Sequence, residues 1–235
     1  MTFKKIVWCC ALVFLPGSWV YASMEDDPVV YSLDVEELEW REASDGNVIS
    51  WDMQAWVGKD RDKLLLKSEG ERNSYSTEEF ELQAFYNRSI SPFWDLQLGW
   101  RHDWQPVIQR DWFAAGIAGT LPGFIETEIT FYYGDSGRTA VRLKFDYHIL
   151  FTQRLSLTPA LEMNIYGDDD IANGVASGLA TTEIGMRLHY AVRPALKPYI
   201  GLNWHKLSGT TADLAEAEGE SDGDVQVLAG LTWWF

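Results

Sequence analysis

Histidine and glutamate side chains at matching positions of separate segments are the groups of this sequence that could bind a metal ion. His148, His189 and His205 each fall on the polar side of a segment in which apolar and polar residues alternate. Glu162 and Glu183 lie on the polar side of their own segments. Because imidazole and carboxylate groups are ligands of transition-metal ions, we treat these five residues as candidate metal ligands. His148 and His189 are the favoured pair, with Glu183 or Glu162 as the oxygen partner.

A structural role is the alternative for each histidine, as a polar side chain hydrogen-bonded to a neighbouring carboxylate. His102 has the parity of the apolar residues and lies at a segment end. If the segments are strands of one sheet, those of His148 and His189 enclose one further strand and lie roughly 10 Å apart. A metal ion bound by both residues would therefore require long side chains, or side chains that cross the lumen of a barrel.

A period of two residues runs through most of the chain and indicates β-strands. In the stretch TEEFELQAFYNR, Phe80, Leu82, Ala84 and Tyr86 share one face, and polar residues occupy most of the other. A strand points successive side chains to opposite faces. We predict about twelve strands, near residues 33–42, 47–58, 62–70, 77–88, 93–104, 111–120, 124–133, 138–150, 154–166, 178–190, 197–207 and 224–235.

The length of these segments distinguishes two all-β architectures. A β-sandwich also buries apolar faces, and alternation alone does not exclude it. However, many segments reach about ten to thirteen residues, whereas strands of globular proteins average about five or six and strands that cross a bilayer need about nine to eleven. Short connections also alternate with longer ones, as in outer-membrane barrels. We predict an all-β fold, a transmembrane antiparallel up-and-down β-barrel of outer-membrane type, over residues 33–235.

Aromatic and charged residues are distributed as such a barrel requires. Aromatic girdles mark the two membrane interfaces, and the candidates near segment ends are Trp94, Trp100, Trp104, Trp112, Tyr132, Tyr133, Trp233 and Trp234. A charge facing lipid costs up to about 2–4 kcal/mol at mid-bilayer, so we expect an inward network of Glu79, Glu81, Asp95, Arg101, Glu126, Glu128, Arg142, Lys144, Glu162, Glu183 and Arg187. These side chains could nearly fill the interior, which leaves an open and a closed lumen as alternatives.

The N-terminus indicates export from the cytoplasm. Two lysines precede an apolar stretch at residues 6–15, and small residues up to Ala22 mark a cleavage site, which is the pattern of a secretory signal peptide. We predict a signal peptide at residues 1–22 and a short periplasmic segment at residues 23–32. Both cysteines lie in the predicted signal peptide, so disulfides and thiolate sites are not expected in the mature chain.

The charge of the chain argues against nucleic acid as a partner. The formal net charge is −16 and the sequence pI is about 4.5, whereas nucleic-acid binding depends on a basic surface. Sequence motifs of phosphate-binding loops, dinucleotide sites and GxSxG hydrolases are absent. Acidic residues cluster at 168–170 and 213–224 without the spacing of a calcium loop. We interpret both clusters as solvated extracellular loops that face lipopolysaccharide through bridging cations.

Four stretches of the sequence resemble the outer-membrane copper resistance protein B family. They are WDMQAWVGKDRDKLLLKSEGER, TEEFELQAFYNRSISPFWDLQLGWRHDW, YYGDSGRTAVRLKFDYHILFTQRLSLTPALEMNIYGDDD and PYIGLNWHKLSGTTADLAEAEGE, and the likeness extends from about Leu33 to Phe235. The resemblance implies a role in copper resistance at the outer membrane of a Gram-negative bacterium. It also implies copper ions as the ligand, outer-membrane lipid as the surroundings and a periplasmic multicopper oxidase as a partner of the same resistance system.

One departure from the family concerns copper storage. Its members often carry a methionine- and histidine-rich stretch ahead of the barrel, in which thioether sulfur suits Cu(I) and imidazole suits Cu(II). Here the residues after the predicted cleavage site read SMEDDPVVY, with Met24 as the one methionine. This argues against high-capacity copper storage, so any copper contact is expected from barrel residues.

Two rival functions remain at the level of sequence. The first is a passive or structural barrel, or pore, without a metal role. The second is an outer-membrane phospholipase, which would need a serine and a histidine with an orienting Asn or Asp. His102 is followed by Asp103 but has no serine beside it in the sequence. We therefore expect a protein that is not an enzyme.

Overall fold

Antiparallel β-strands make up most of the protein. The computed structural model describes residues 27–43, 46–73, 77–104, 108–219 and 221–235. The strands are β1 (Val30–Ala43), β2 (Gly46–Gly58), β3 (Asp62–Asn73), β4 (Thr77–Ser91), β5 (Trp94–Trp104), β6 (Arg110–Leu121), β7 (Ile125–Gly134), β8 (Thr139–Tyr147), β9 (Ile149–Leu150), β10 (Leu155–Tyr166), β11 (Gly178–Tyr190), β12 (Leu196–Leu207) and β13 (Gly223–Trp234). The predicted signal peptide at residues 1–22 and the first residues of the predicted periplasmic segment at 23–32 lie outside the described ranges.

Each predicted strand is present, and its ends differ from the prediction by three residues or fewer. β9 continues β8 beyond His148 and pairs with the same neighbour, β10, so twelve strands form the wall. The agreement has a simple cause. In a barrel that faces lipid outside and polar groups inside, strands alternate apolar and polar residues along most of their length.

Pairing between the first and last strands closes the sheet into a barrel. β13 lies antiparallel to β1, with Val35 opposite Trp233 and Trp40 opposite Ala229. The backbones of Leu33 and Phe235 exchange two hydrogen bonds of 3.2 Å. A closed barrel has no free strand edge, which explains how an alternating, aromatic C-terminal strand avoids exposing one. The predicted outer-membrane β-barrel is confirmed.

Apolar side chains cover the outer surface of the barrel, and polar side chains point inward. Leu202 and Val227 are 51% and 55% exposed on the outer face of β12 and β13. Facing inward, Gln83 and Glu39 are each 1% exposed. Lipid tails offer no hydrogen-bond partners. The apolar side chains therefore face the lipid, and the polar side chains face the lumen, where they find hydrogen-bond partners.

Trp112 and Tyr132 do not belong to an interfacial girdle, and that part of the prediction is wrong. Both side chains point into the lumen, where they are 5% and 1% exposed. Gly134 lies opposite Trp112 on the neighbouring strand, and a Cβ at this glycine would be 2.5 Å from the indole ring. The missing side chain therefore makes room for the tryptophan inside the barrel.

Connections at the two ends of the barrel differ in length. At the end that carries the 59–61 turn, the connections have five residues or fewer, and in outer-membrane barrels the short turns face the periplasm. The opposite, extracellular end carries the long connections 167–177 and 208–222. The second of these contains α1 (Gly209–Glu218), where the sequence predicted a solvated loop. No helix among the described residues has the length and hydropathy needed to span a bilayer.

Candidate functional site

One half of the barrel interior is packed solid. Its buried cluster lies inside β3 to β8 and consists of Leu65, Phe85, Trp112, Ala114, Tyr132 and Ala140. The guanidinium carbon of Arg101 lies 4.7 Å from the centre of the Tyr132 ring. The Tyr132 hydroxyl donates a hydrogen bond to Gln83 Oε1 at 3.2 Å. Aromatic rings and buried polar side chains thus fill this half.

The other half of the interior is hollow. A cavity of about 970 Å³, which we call the side cavity, extends along the inner faces of β8, β10 to β13 and β1 to β3. Lys197 and Thr232 line it at the periplasmic end, and Thr211, Ala215 and residues 171–175 line it at the extracellular end. Its lining carries eleven acidic and six lysine or arginine side chains. The side cavity is therefore acidic and extends over most of the barrel length.

Ion pairs across the lumen separate the side cavity from the packed half. Arg142 Nη2 of β8 lies 2.9 Å from Glu81 Oε2 of β4. Lys144 Nζ lies 2.6 Å from Glu69 Oε1 of β3 and 3.4 Å from Asp52 Oδ2 of β2. These contacts connect walls that are four to six strands apart and confirm the predicted inward placement of Glu81, Arg142 and Lys144. The side chain of Glu79, also predicted in this network, lies outside the described part of the structure.

A second group of ion pairs joins β11 to β1. Arg187 Nη2 lies 2.7 Å from Glu37 Oε2, and Arg187 Nε lies 2.6 Å from Glu39 Oε1. Arg41 Nε contacts the other Glu39 oxygen at 2.7 Å, and Arg41 Nη1 contacts Glu71 Oε1 at 2.8 Å. A buried carboxylate such as Glu39 is stable here because it is paired with two guanidinium groups.

A β-bulge in β1 directs two consecutive carboxylates into the side cavity. Val35 is opposite Met53 of β2, but Glu37 is opposite Asp52, so one residue of β1 has no partner. That residue is Glu36, and both Glu36 and Glu37 line the cavity. A bulge breaks the alternation of a strand and redirects side chains at a chosen point. Strict alternation in the sequence could not have revealed this pair.

The five predicted metal ligands all line the side cavity. His148 and His189 lie near its periplasmic end, on β-strands separated by β10 as predicted. His148 Nδ1 is 3.0 Å from Thr158 Oγ1, and its Nε2 is 3.6 Å from Glu126 Oε1. The His189 ring lies 4.6 Å from that of Tyr199, and its buried Nδ1 has no hydrogen-bond partner among the described residues.

Glu162, Glu183 and His205 form a separate row across three neighbouring strands. Glu162 is directly opposite Glu183, and Glu183 is directly opposite His205. Asn203 Nδ2 donates a hydrogen bond to Glu183 Oε2 at 3.2 Å. His189 is six residues from Glu183 along β11, which corresponds to about 20 Å at the rise of a strand.

The predicted combination of His148 and His189 with Glu183 or Glu162 is therefore not formed. The carboxylate beside His148 is Glu126, whose position the parity rule had identified as inward but not as a histidine partner. Opposite pairing of Glu126 with Asp146 on β8, two residues before His148, is the signal that locates it. The described residues include no group of three His, Cys, Asp or Glu side chains placed to hold one metal ion.

A clamp at the extracellular end holds the 167–177 connection over the side cavity. Arg110 donates two hydrogen bonds of 2.8 Å to the Asp170 carboxylate, and Arg138 Nε lies 3.8 Å from it. The hydrogen bonds from Arg110 hold the pKa of Asp170 below its usual range. Asp170 is 7% exposed, so its predicted role as part of a solvated acidic triplet is wrong, whereas Asp168 and Asp169 are exposed.

Solved structures confirm the architecture. The barrel is similar to the NanC porin, with a TM-score of 0.57, 12% identity and coverage of 86% of this chain and 98% of that one. It is also similar to the KdgM porin, with a TM-score of 0.54, 11% identity and coverage of 87% and 99%. At these identities the likeness concerns the fold alone. Together with the apolar outer surface, it places the protein in the outer membrane.

Comparison with known sequences identifies the family. A protein of Pseudomonas syringae pv. tomato described as copper resistance protein B homolog is 42% identical over 200 residues, which is 85% of this chain and 68% of that protein. The copper resistance protein B of Escherichia coli is 40% identical over 213 residues, which is 91% of this chain and 72% of that protein. The family model described as copper resistance protein B precursor matches residues 29–235. The chain belongs to the copper resistance protein B family.

Proposed function

We propose that this barrel serves copper resistance by binding copper ions within the side cavity while they are at the outer membrane. The observation that carries the proposal is that His148, His189 and His205, with Glu162 and Glu183, all line one cavity. Imidazole and carboxylate groups are suitable copper ligands. The role is non-enzymatic, and copper is a cargo of the barrel.

The placement of these residues favours brief contact over storage. His148 and His189 provide nitrogen ligands near the periplasmic end, and the row of Glu162, Glu183 and His205 provides a second station farther in. Because no three ligands of the described chain converge on one point, each station offers few protein ligands and water completes the coordination. Such sites bind copper weakly and release it readily, as expected for an ion that is not stored in the barrel.

Copper titration of the refolded barrel in detergent tests this proposal. The double variant His148→Gln and His189→Gln should bind fewer copper ions per chain than the wild type, and His205→Gln should weaken binding at the second station. His102→Gln is the matched control, because His102 pairs with Asp111 at 2.7 Å and does not line the cavity. An unchanged copper stoichiometry in the triple His148, His189 and His205 variant would overturn the assignment.

Copper tolerance of a deletion strain provides the second readout. We expect the strain to become copper-sensitive and to be restored by the wild-type barrel or by His102→Gln. Restoration that is equally complete with the triple histidine variant would separate copper resistance from these ligands.

A further inference from the structure

Four carboxylates that line the side cavity lack a cationic partner: Glu218 lies on α1 at the extracellular end, and the other three lie on the barrel wall. Glu36 of β1, Asp146 of β8 and Glu183 of β11 all line the cavity. Among the described residues, no lysine, arginine or histidine nitrogen lies within 4.0 Å of their carboxylate oxygens. Glu36 accepts a hydrogen bond from Gln54, and Glu183 accepts one from Asn203. These are neutral partners, so neither carboxylate is held in an ion pair.

The positive charges of the cavity wall are largely compensated. Arg41, Arg101, Arg142, Lys144 and Arg187 each lie in an ion pair of 2.6 to 2.9 Å with a wall carboxylate. Lys197, at the periplasmic end, is the exception among the lysines and arginines of the described lining. The field inside the cavity is therefore set by surplus carboxylates, and carboxylates that line a passage attract cations and repel anions.

The unpaired carboxylates stand on both walls of the cavity. Asp146 is opposite Ala160 of β10, which is in turn opposite Gly185 of β11, two residues from Glu183. Two residues correspond to about 7 Å along a strand, so Asp146 and Glu183 follow one another along the axis. Glu36 faces them from β1, where the bulge directs it inward. An ion in the cavity would pass from one carboxylate to the next.

His189 supplies an independent sign that the cavity accommodates a polar guest. Its side chain is 9% exposed, it lines the cavity, and its Nδ1 has no hydrogen-bond partner among the described residues. A buried polar atom without a partner is costly. Hydrated ions or water in the cavity would satisfy this nitrogen.

We propose that the side cavity is a cation-selective passage through the outer membrane that conducts small hydrated inorganic cations, potassium and divalent ions among them, and rejects anions. The inference goes beyond the copper role and does not require copper. It concerns which ions can pass through the lumen, whereas the copper proposal concerns the ligands of one ion.

Reversal potentials of the purified full chain in a planar lipid bilayer test the inference. In a potassium chloride gradient without copper, we expect a conductance whose reversal potential has the sign of cation permeation. The triple variant Glu36→Gln, Asp146→Asn and Glu183→Gln should lower the potassium-to-chloride permeability ratio at least about twofold toward unity. Each single neutralisation should give part of this change.

A matched control removes the same charge elsewhere. Asp60→Asn, Asp213→Asn and Glu216→Gln together also neutralise three carboxylates, none of which lines the cavity, and the permeability ratio should remain that of the wild type. Circular dichroism and heat-dependent electrophoretic mobility identify variants that have folded. Anion selectivity or an absence of conductance in the wild type would overturn the inference, as would equal selectivity in the cavity and control variants. These results would leave the copper titration unaffected, so the two proposals fail separately.

Discussion

Arg142 donates two hydrogen bonds to the carboxylate of Glu81 across the lumen, from Nη1 to Oε1 at 3.0 Å and from Nη2 to Oε2 at 2.9 Å. The two residues stand on β8 and β4, so the fork of the arginine connects walls that share no backbone hydrogen bond. Their side chains are 9% and 11% exposed. Removal of one partner from a buried pair of this kind is strongly destabilising, because the other charge is left buried and unpaired.

Replacement of Arg142 by methionine should therefore destabilise the barrel by about 3–5 kcal/mol. The physical reason is that Glu81 and Glu69 would be left near one another with less positive charge. The double variant Arg142→Met with Glu81→Gln should lose less stability than the sum of the single variants. Tryptophan fluorescence during denaturant unfolding from lipid vesicles measures the free energy of unfolding. Strict additivity would show that the pair is not coupled.

Gly230→Ala should destabilise the barrel because Tyr199 occupies the space above this glycine. A Cβ at position 230 would be 2.6 Å from the Tyr199 ring, and a clash of this kind typically costs about 1–3 kcal/mol. Combining Gly230→Ala with Tyr199→Ala should remove the clash. The double variant should therefore lose less free energy of unfolding than the two single variants lose in sum. The same unfolding assay measures the single and double variants. A loss in the double variant equal to the sum of the single losses would contradict the contact.

Leu202→Arg should test the lipid-facing surface. Leu202 lies near the middle of β12 with its side chain outward and 51% exposed, so an arginine there should cost about 2–4 kcal/mol. Tyr190→Arg is the matched control, because Tyr190 is also exposed but ends β11 near the interface, where the cost should be about 0–1 kcal/mol. Equal costs at the two depths, measured by unfolding from vesicles, would argue against a membrane around this strand.

Asp170→Asn should loosen the connection at the extracellular end. The substitution weakens the hydrogen bonds from Arg110, and amide hydrogen exchange at residues 171–175 should accelerate roughly tenfold. Asp168→Asn is the control, because Asp168 contacts Thr139 but no arginine within the described residues. Unchanged exchange in Asp170→Asn would exclude the clamp.

The pH dependence of this clamp follows from the direction of the pKa shift. Because the folded pKa of Asp170 is lowered, its stabilising effect is present above the unfolded value of about 3.9. The effect is lost as the pH falls through the still lower folded pKa. Exchange at residues 171–175, corrected for the intrinsic rate, should therefore remain constant between pH 7 and pH 5. An acceleration within that interval would contradict the assignment.

The period of two residues was enough to predict the strands and the inward parity of most lumen residues. The same rule failed for Glu36, because a bulge changes the parity of β1 at one residue. The girdle prediction failed for Trp112, because a glycine on the next strand makes room for its side chain inside the barrel. The residues of α1 did contain a helix signal. Alanine, leucine and glutamate favour helix, and Gly219 adopts the left-handed conformation that ends it.

The partners across the lumen depend on information that alternation does not contain. Which carboxylate meets Arg187 or Lys144 is decided by the stagger of strands around the barrel and by the shape of the interior. Pairing Glu183 with His148 and His189 failed for this reason, since parity fixes the face of a residue but not its position along the strand. The register of β10 to β12 separates the two groups along the axis.

The unequal filling of the interior has a consequence for how the protein tolerates change. The buried aromatic cluster inside β3 to β8 stabilises the barrel. Substitutions on the wall of the side cavity therefore leave this cluster intact. Redesign of the side cavity would start from β11, β12 and β1 and leave Phe85, Trp112 and Tyr132 untouched.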